Sequence, residues 1–168
     1  DVSSMDASAT GPIGKHPQQV YPNMLFSALV RGPLLYVPNV GAQPEPPVRF
    51  NVNLQGLVGV LNRIRGIETD RSLNLNAQVA KEAQPDVTNE TQVLDRVFLN
   101  DLVAVDADRR GRNFLFLSRG ANYVLKGELK DGKINILDST NKATRLQTGN
   151  LPSGVVISND GKRAYTNN

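Results

Sequence analysis

The stretch Leu151-Pro-Ser-Gly-Val-Val-Ile-Ser-Asn-Asp-Gly-Lys-Arg-Ala-Tyr-Thr-Asn-Asn168 limits the fold more than any other part of the chain. Val155, Val156 and Ile157 are β-branched and favour an extended backbone. Asn159-Asp160-Gly161 supplies residues that tolerate positive φ, and Arg163 to Thr166 returns to strand-like alternation. Two short strands around one tight turn are therefore expected. The same strand–turn–strand pattern recurs around Gly32 and Gly111. With 14 Gly, 10 Pro and few aromatics, the 168 residues suit an all-β domain better than a helix bundle.

The tail resembles the Pro-x-Gly-Val-x-x-Ser-x-Asp-Gly-(Lys/Arg)-x-x-Tyr-x-Thr-Asn block that opens each blade of YVTN-type β-propellers, the lactonase-like and surface-layer-like repeat proteins. The resemblance implies an all-β partial β-propeller of about two and a half to three four-stranded antiparallel blades, since one blade takes roughly 40–50 residues. Tyr36, Phe116 and Tyr165 align as equivalent second-strand positions. The second interval, 49 residues (165 minus 116), is one blade; the first, 80 residues (116 minus 36), is one blade carrying an insertion of about 30. The expected division is a linker or extended arm over 1–14, a blade over 15–76, an insertion over 77–100, a blade over 101–150 and the start of another over 151–168.

Within that frame, Gly14 to Val20 opens a blade, with Pro17 echoing Pro152. Met24–Val30 reads as the first strand and Leu34–Gly41 as the second, which Pro38 should end or place at an edge because it has no N–H for a ladder. Ala42–Pro47 is a proline-rich loop. Arg49–Leu54 alternates, and Leu57–Leu61 reads as the third strand. Leu54, Leu57, Val58, Leu61 and Ile64 also fall at helical spacing, but Gly56 and Gly59 oppose a helix. Ser72–Asn76 is the candidate fourth strand, and helix is expected for a turn or two, within Asp86–Asn100. Leu102–Asp106, Phe114–Ser118, Asn122–Leu129 and Ile134–Leu137 give the next four strands. The polar turn Asp106–Arg112 separates the first two and Asp131-Gly132 the last two, and Arg145–Pro152 leads back to the tail.

The chemistry-bearing residues form no catalytic set. Arg109, Arg110, Arg112 and Arg119 are the densest basic part; a nucleic-acid surface would want such cations interleaved with stacking aromatics on one face, and hairpin turns and solvated edges are the favoured reading. The single histidine, His16, has no partners for a metal site and no Gly-x-Ser-x-Gly to serve. Asp106 and Asp108 lack the spacing of an oxygen-ligand loop and read as turn residues bonding the local backbone. Asp95, Asp101 and Asp138 are not spaced as an acid–base pair, and Asn39, Asn122, Asn167 and Asn168 read as turn formers rather than channel ligands. No catalytic, cofactor-binding or metal residue is assigned. The chain has no cysteine, hence no disulfide and no Cys-x-x-Cys-His haem attachment.

The expected function is a non-catalytic propeller scaffold within a larger exported bacterial protein, outside the cytoplasm. The start on Asp1 fits removal of a preceding segment. The partners expected are the remaining blades of the same parent or another chain, with no nucleic acid and no membrane span, because the strand Arg163–Thr166 is left without a neighbour. The alternative is part of a redox enzyme. Asn100–Asp108 and Ser118–Leu125 resemble propellers fused to di-haem cytochrome c peroxidase-like domains, which implies haem c bound by residues beyond Asn168. A lactonase-like hydrolase is the third reading.

Overall fold

The computed structural model describes residues 2–4, 16–18, 24–42, 54–83, 98–136 and 144–168, with side chains for 24–42, 54–79, 98–136 and 144–168. The expected Arg49–Asn53 alternation, the loop over 43–47 and the segment 86–97 lie outside these residues. What is described is all-β and antiparallel, arranged as a partial propeller: two sheets four strands wide and a hairpin, packed face to face in series.

The first sheet is built on a central pair, β5 (Leu34–Ala42) against β6 (Leu54–Asn62). Its outer positions are each filled by two short pieces. β3 (Met24–Leu25) and β4 (Leu29–Arg31) both pair with β5, while β7 (Ile67–Glu68) and β8 (Leu73–Asn74) both pair with β6. The second sheet runs β9 (Leu102–Ala107), β10 (Asn113–Ser118), β11 (Tyr123–Lys130), with β12 (Lys133–Ile136) and β13 (Arg145–Gln147) sharing the fourth position along β11. The third is the hairpin β14 (Gly154–Ile157) and β15 (Ala164–Asn167). Separately, β1 (Val2–Ser4) pairs with β2 (His16–Gln18), so part of the expected arm is a strand.

Alternation along β10 explains the stacking. Phe114 and Phe116 face the first sheet, where the Phe114 ring lies 5.0 Å from that of Tyr36; Leu115 and Leu117 face the hairpin. Both faces are buried, so the strand reads as a continuous apolar run. The larger core joins Tyr36, Val58 and Val60 of the first sheet to Val105, Phe114, Phe116 and Leu125 of the second. Each such side chain contributes about 1.5–3 kcal/mol on burial. A smaller core joins Val103, Leu115, Leu117 and Val124 to Val155 and Ile157 of the hairpin.

Three expectations are corrected. Pro38 neither ends β5 nor lies at an edge: it pairs with Val58 in the middle of the sheet. On its other side the first strand is broken, with Phe26–Ala28 between the β3 pair Leu25–Asn39 and the β4 pair Leu29–Tyr36. Three residues thus oppose two, Val37 and Pro38. That bulge removes the ladder position that a missing N–H would spoil. Second, only Leu73 and Asn74 of the expected fourth strand are extended, because a helix, α1 (Leu75–Ala83), starts at once. Third, that helix lies ahead of the expected 86–100 window. Asn74 caps it, accepting the Ala77 N–H at 2.9 Å. Leu75 and Val79, one turn apart, enter the large core, and Gln78 bonds the edge of β12 through Ile134 O and Ile136 N.

Candidate interaction surface

The sheets meet at one carboxylate. Arg31, the last residue of β4, reaches across to the second sheet, donating from Nε to Asp108 O (3.1 Å) and from Nη2 to Ala107 O (2.5 Å) and Asp106 Oδ1 (2.8 Å). Asp106 Oδ1 also accepts the Ala107 N–H, and Oδ2 accepts the Ile157 N–H of the hairpin at 2.6 Å. One side chain therefore holds three sheets through charge-assisted bonds. Gly111 makes room for this: it is buried at φ +64°, and a Cβ there would stand 3.4 Å from Arg31 Cβ. A second junction lies at Arg119, whose Nε donates to Asp101 Oδ2 at 2.6 Å while its guanidinium sits 5.5 Å from the Phe26 ring centroid.

Docked by Asp106, the hairpin turns Val155 and Ile157 inward and leaves its other face bare. Val156 and Tyr165 are Cα partners there, 54% and 55% exposed. All residues from 161 to 168 are exposed. Ser158 N and Ser153 N bond the carbonyls of Arg163 and Asn167, so by alternation Ala164 and Thr166 aim their backbone groups at the open edge of β15. Between this hairpin and the outer half of the second sheet runs a cleft of about 520 Å³ lined by Asp108, Leu115, Lys126, Leu146, Ile157 and Lys162. Leu146, in this lining, is 43% exposed and adds to the apolar part of the surface.

The turns carry their own electrostatics. Asp108 accepts the Arg112 N–H (2.8 Å) and Asn113 Nδ2 (2.7 Å). Burial works to raise its pKa, and the bonds from Arg112, Asn113 and Arg110 outweigh it, leaving the carboxyl below its ordinary value. In the equivalent turn of the hairpin, bonds from the Ser158 hydroxyl and the Lys162 N–H lower Asp160 likewise. Burial lifts the Tyr123 phenol far above its usual range, partly offset by Arg145, and its hydroxyl donates to Phe98 O at 2.8 Å.

Arg109, Arg110 and Arg112 are exposed in the turn as expected, whereas Arg119 belongs to a junction. Asp106 is not a turn residue: it lies within a fully buried strand, one residue before its end, because its oxygens have partners in all three sheets. Asn122 takes positive φ (56°) and accepts the Leu151 N–H. Asn167 instead lies within β15, and Asn39 is fully buried within β5, since each backbone has a strand partner. The side chain of His16 and residues Asp95 and Asp138 lie outside the described residues. Among those described, no three His, Cys, Asp or Glu side chains cluster as a metal site would require. No described helix is long and apolar enough to cross a membrane. Sequence reading missed Asp106 and Asn39; the one available signal was a polar side chain inside an otherwise apolar strand.

No family model matches the chain, and no curated protein matches it. Among solved structures it is similar to a chain of hydrazine synthase from Kuenenia stuttgartiensis, with a TM-score of 0.60 at 15% identity, covering 84% of this chain and 41% of that one. A protein of unknown function from Desulfotomaculum acetoxidans aligns at a TM-score of 0.45 and 12% identity, over 98% of this chain and 55% of that one. The first match agrees with the fold; this chain spans less than half the length of that neighbour.

Proposed function

We propose that the chain is a non-catalytic segment of a YVTN-like propeller whose third sheet is completed by further polypeptide. The observation that carries this reading is β15: four exposed residues with Ala164 and Thr166 directed at an open edge, in a hairpin beside sheets four strands wide. Strand addition at such an edge uses backbone bonds for affinity and side-chain pockets for specificity. Val156, Tyr165, Leu146 and the adjoining cleft supply the apolar contacts. The partner is the remaining blades of the same parent or another chain. Thr166→Pro tests the reading, because it removes an outward N–H and leaves the bonds to β14 in place. The unmodified chain should self-associate with rising concentration in sedimentation equilibrium, and the proline variant should not. A monomer at all concentrations with slowly exchanging β15 amides would overturn the reading.

The resemblance of Asn100–Asp108 and Ser118–Leu125 to peroxidase-fused propellers, joined to a fold neighbour that is an enzyme by name, supports a second reading as part of a redox enzyme. The 168 residues contain no cysteine, so covalent haem would rest on residues outside them. Haem staining of the whole protein after denaturing electrophoresis separates the two readings. The cysteine-free composition also supports a place outside the cytoplasm, to be tested by fractionation.

A further inference from the structure

The outer strand of the first sheet is interrupted over Gly59. β7 pairs with β6 at Leu61 and Asn62, and β8 pairs at Leu57 and Val58. Between them side chains and a loop serve the backbone of Val60: its N–H donates to Ser72 Oγ (2.9 Å), and its carbonyl accepts the Thr69 N–H (2.8 Å) and Thr69 Oγ1 (2.7 Å). The interruption, with no side chain on Gly59, leaves a cavity of about 240 Å³ lined by Asn39, Leu57, Gly59, Glu68, Ser72 and Asn74.

Asn39 forms the buried end. Its residue exposure is 0%, and Nδ2 donates to Val37 O at 2.8 Å, which fixes the amide orientation. Oδ1 is buried without a hydrogen-bond partner among the described residues. An orphan acceptor of this kind costs about 1–3 kcal/mol. At the exposed end, Glu68 Oε1 accepts Ser72 Oγ at 2.5 Å. Asn74 is occupied on both sides, by Gln55 Oε1 and by the Ala77 N–H. Among the described lining residues, Asn39 Oδ1 and the Glu68 carboxylate are acceptors with capacity left, and one of them is charged; Asn39 Nδ2 and Asn74 Nδ2 each keep one N–H beyond the bond they make. Leu57 and Leu73 make the rest of the wall apolar. A divalent cation would need more oxygens than these two residues offer.

We propose that this cavity binds a small primary ammonium compound with a short alkyl chain, its N–H groups directed to Asn39 Oδ1, its charge matched by Glu68 and its alkyl part against the leucines. The volume holds such a molecule, at roughly 30 Å³ per displaced water.

The test titrates the ¹⁵N-labelled chain with n-butylammonium chloride, following the amide signals of Gly59 and Val60. Tetramethylammonium, a cation without N–H, and n-butanol, an alkyl group without charge, serve as comparators. A hydrogen bond to a charged group is worth a factor of about 10–100 in affinity. Saturable shifts are expected with butylammonium, at least about 10-fold weaker with either comparator. Asn39→Leu should abolish them, and Glu68→Gln should weaken them several-fold. Absence of saturable shifts, equal affinity for tetramethylammonium, or unchanged binding in Asn39→Leu would overturn the proposal. If Asn39→Leu loses its folded circular dichroism, Glu68→Gln and the tetramethylammonium comparison decide the matter, because Glu68 is exposed and its replacement spares the core.

Discussion

Arg31 and Asp106 are 75 residues apart in the chain, yet Nη2 of one lies 2.8 Å from Oδ1 of the other. The carboxylate side chain is 12% exposed and the arginine 27%, so the pair is partly shielded from solvent. Asp106→Ala removes the counter-ion of the guanidinium, which keeps the carbonyls of Ala107 and Asp108, and orphans the Ile157 N–H. The expected loss is about 2–3 kcal/mol, below the range for a fully buried pair because Arg31 stays partly hydrated. Urea unfolding measures it. Hydrogen exchange at Ile157 should accelerate most, since that amide loses its acceptor and its hairpin loses its tether.

Gly127 is the tightest point of the second sheet that involves the core. A Cβ there would stand 2.9 Å from Phe116 Cε2 and 3.0 Å from Ile134 Cγ2. Gly127→Ala should destabilise by about 1–3 kcal/mol through overpacking. A thermal melt with an unchanged midpoint would contradict this.

Leu151 takes φ 52° and is 68% exposed. An L-residue in that region costs about 1–2 kcal/mol, and the exposed side chain returns little. Leu151→Gly relieves the strain and adds about 0.5–1 kcal/mol of backbone entropy cost. The net should be a gain of a few tenths to about 1 kcal/mol, read as a higher urea midpoint.

Asp108 is held below its unfolded value of 3.8 by the turn that it caps. Its contribution to stability is therefore complete above that value and fades as pH falls through the lower folded pKa. Comparing urea midpoints at pH 6 and pH 3, Asp108→Asn should narrow the difference. A difference unchanged from the unmodified chain would show that the turn bonds do not discriminate between charged and neutral carboxyl.

Sequence made the strands legible where two signals coincide. β-branched or aromatic residues beside Asn, Asp or Gly turns located β9, β10, β14 and β15, and Gly56 with Gly59 decided strand over helix for β6. Other features depend on a neighbour in space. Pro38 reads as a breaker until the bulge at Phe26–Ala28 faces it. Asp106 reads as the first residue of a polar turn until Arg31 and Ile157 arrive from distant parts of the chain. The helix start at Leu75 rests on Asn74 and on two apolar residues one turn apart, too few to outweigh the polar residues around them. The cavity under Gly59 has no local signature, because it arises from strand pieces that stop short of one another.

That divided outer strand bears on how the molecule behaves in a crowded solution. A foreign strand approaching the rim of the second sheet meets β12 with Ile134 O and Ile136 N already bonded to Gln78. At the first sheet it meets β7 and β8, each two residues long. Among the described residues, the rim of the first sheet does not offer the uninterrupted row of free backbone groups on which fibrils elongate.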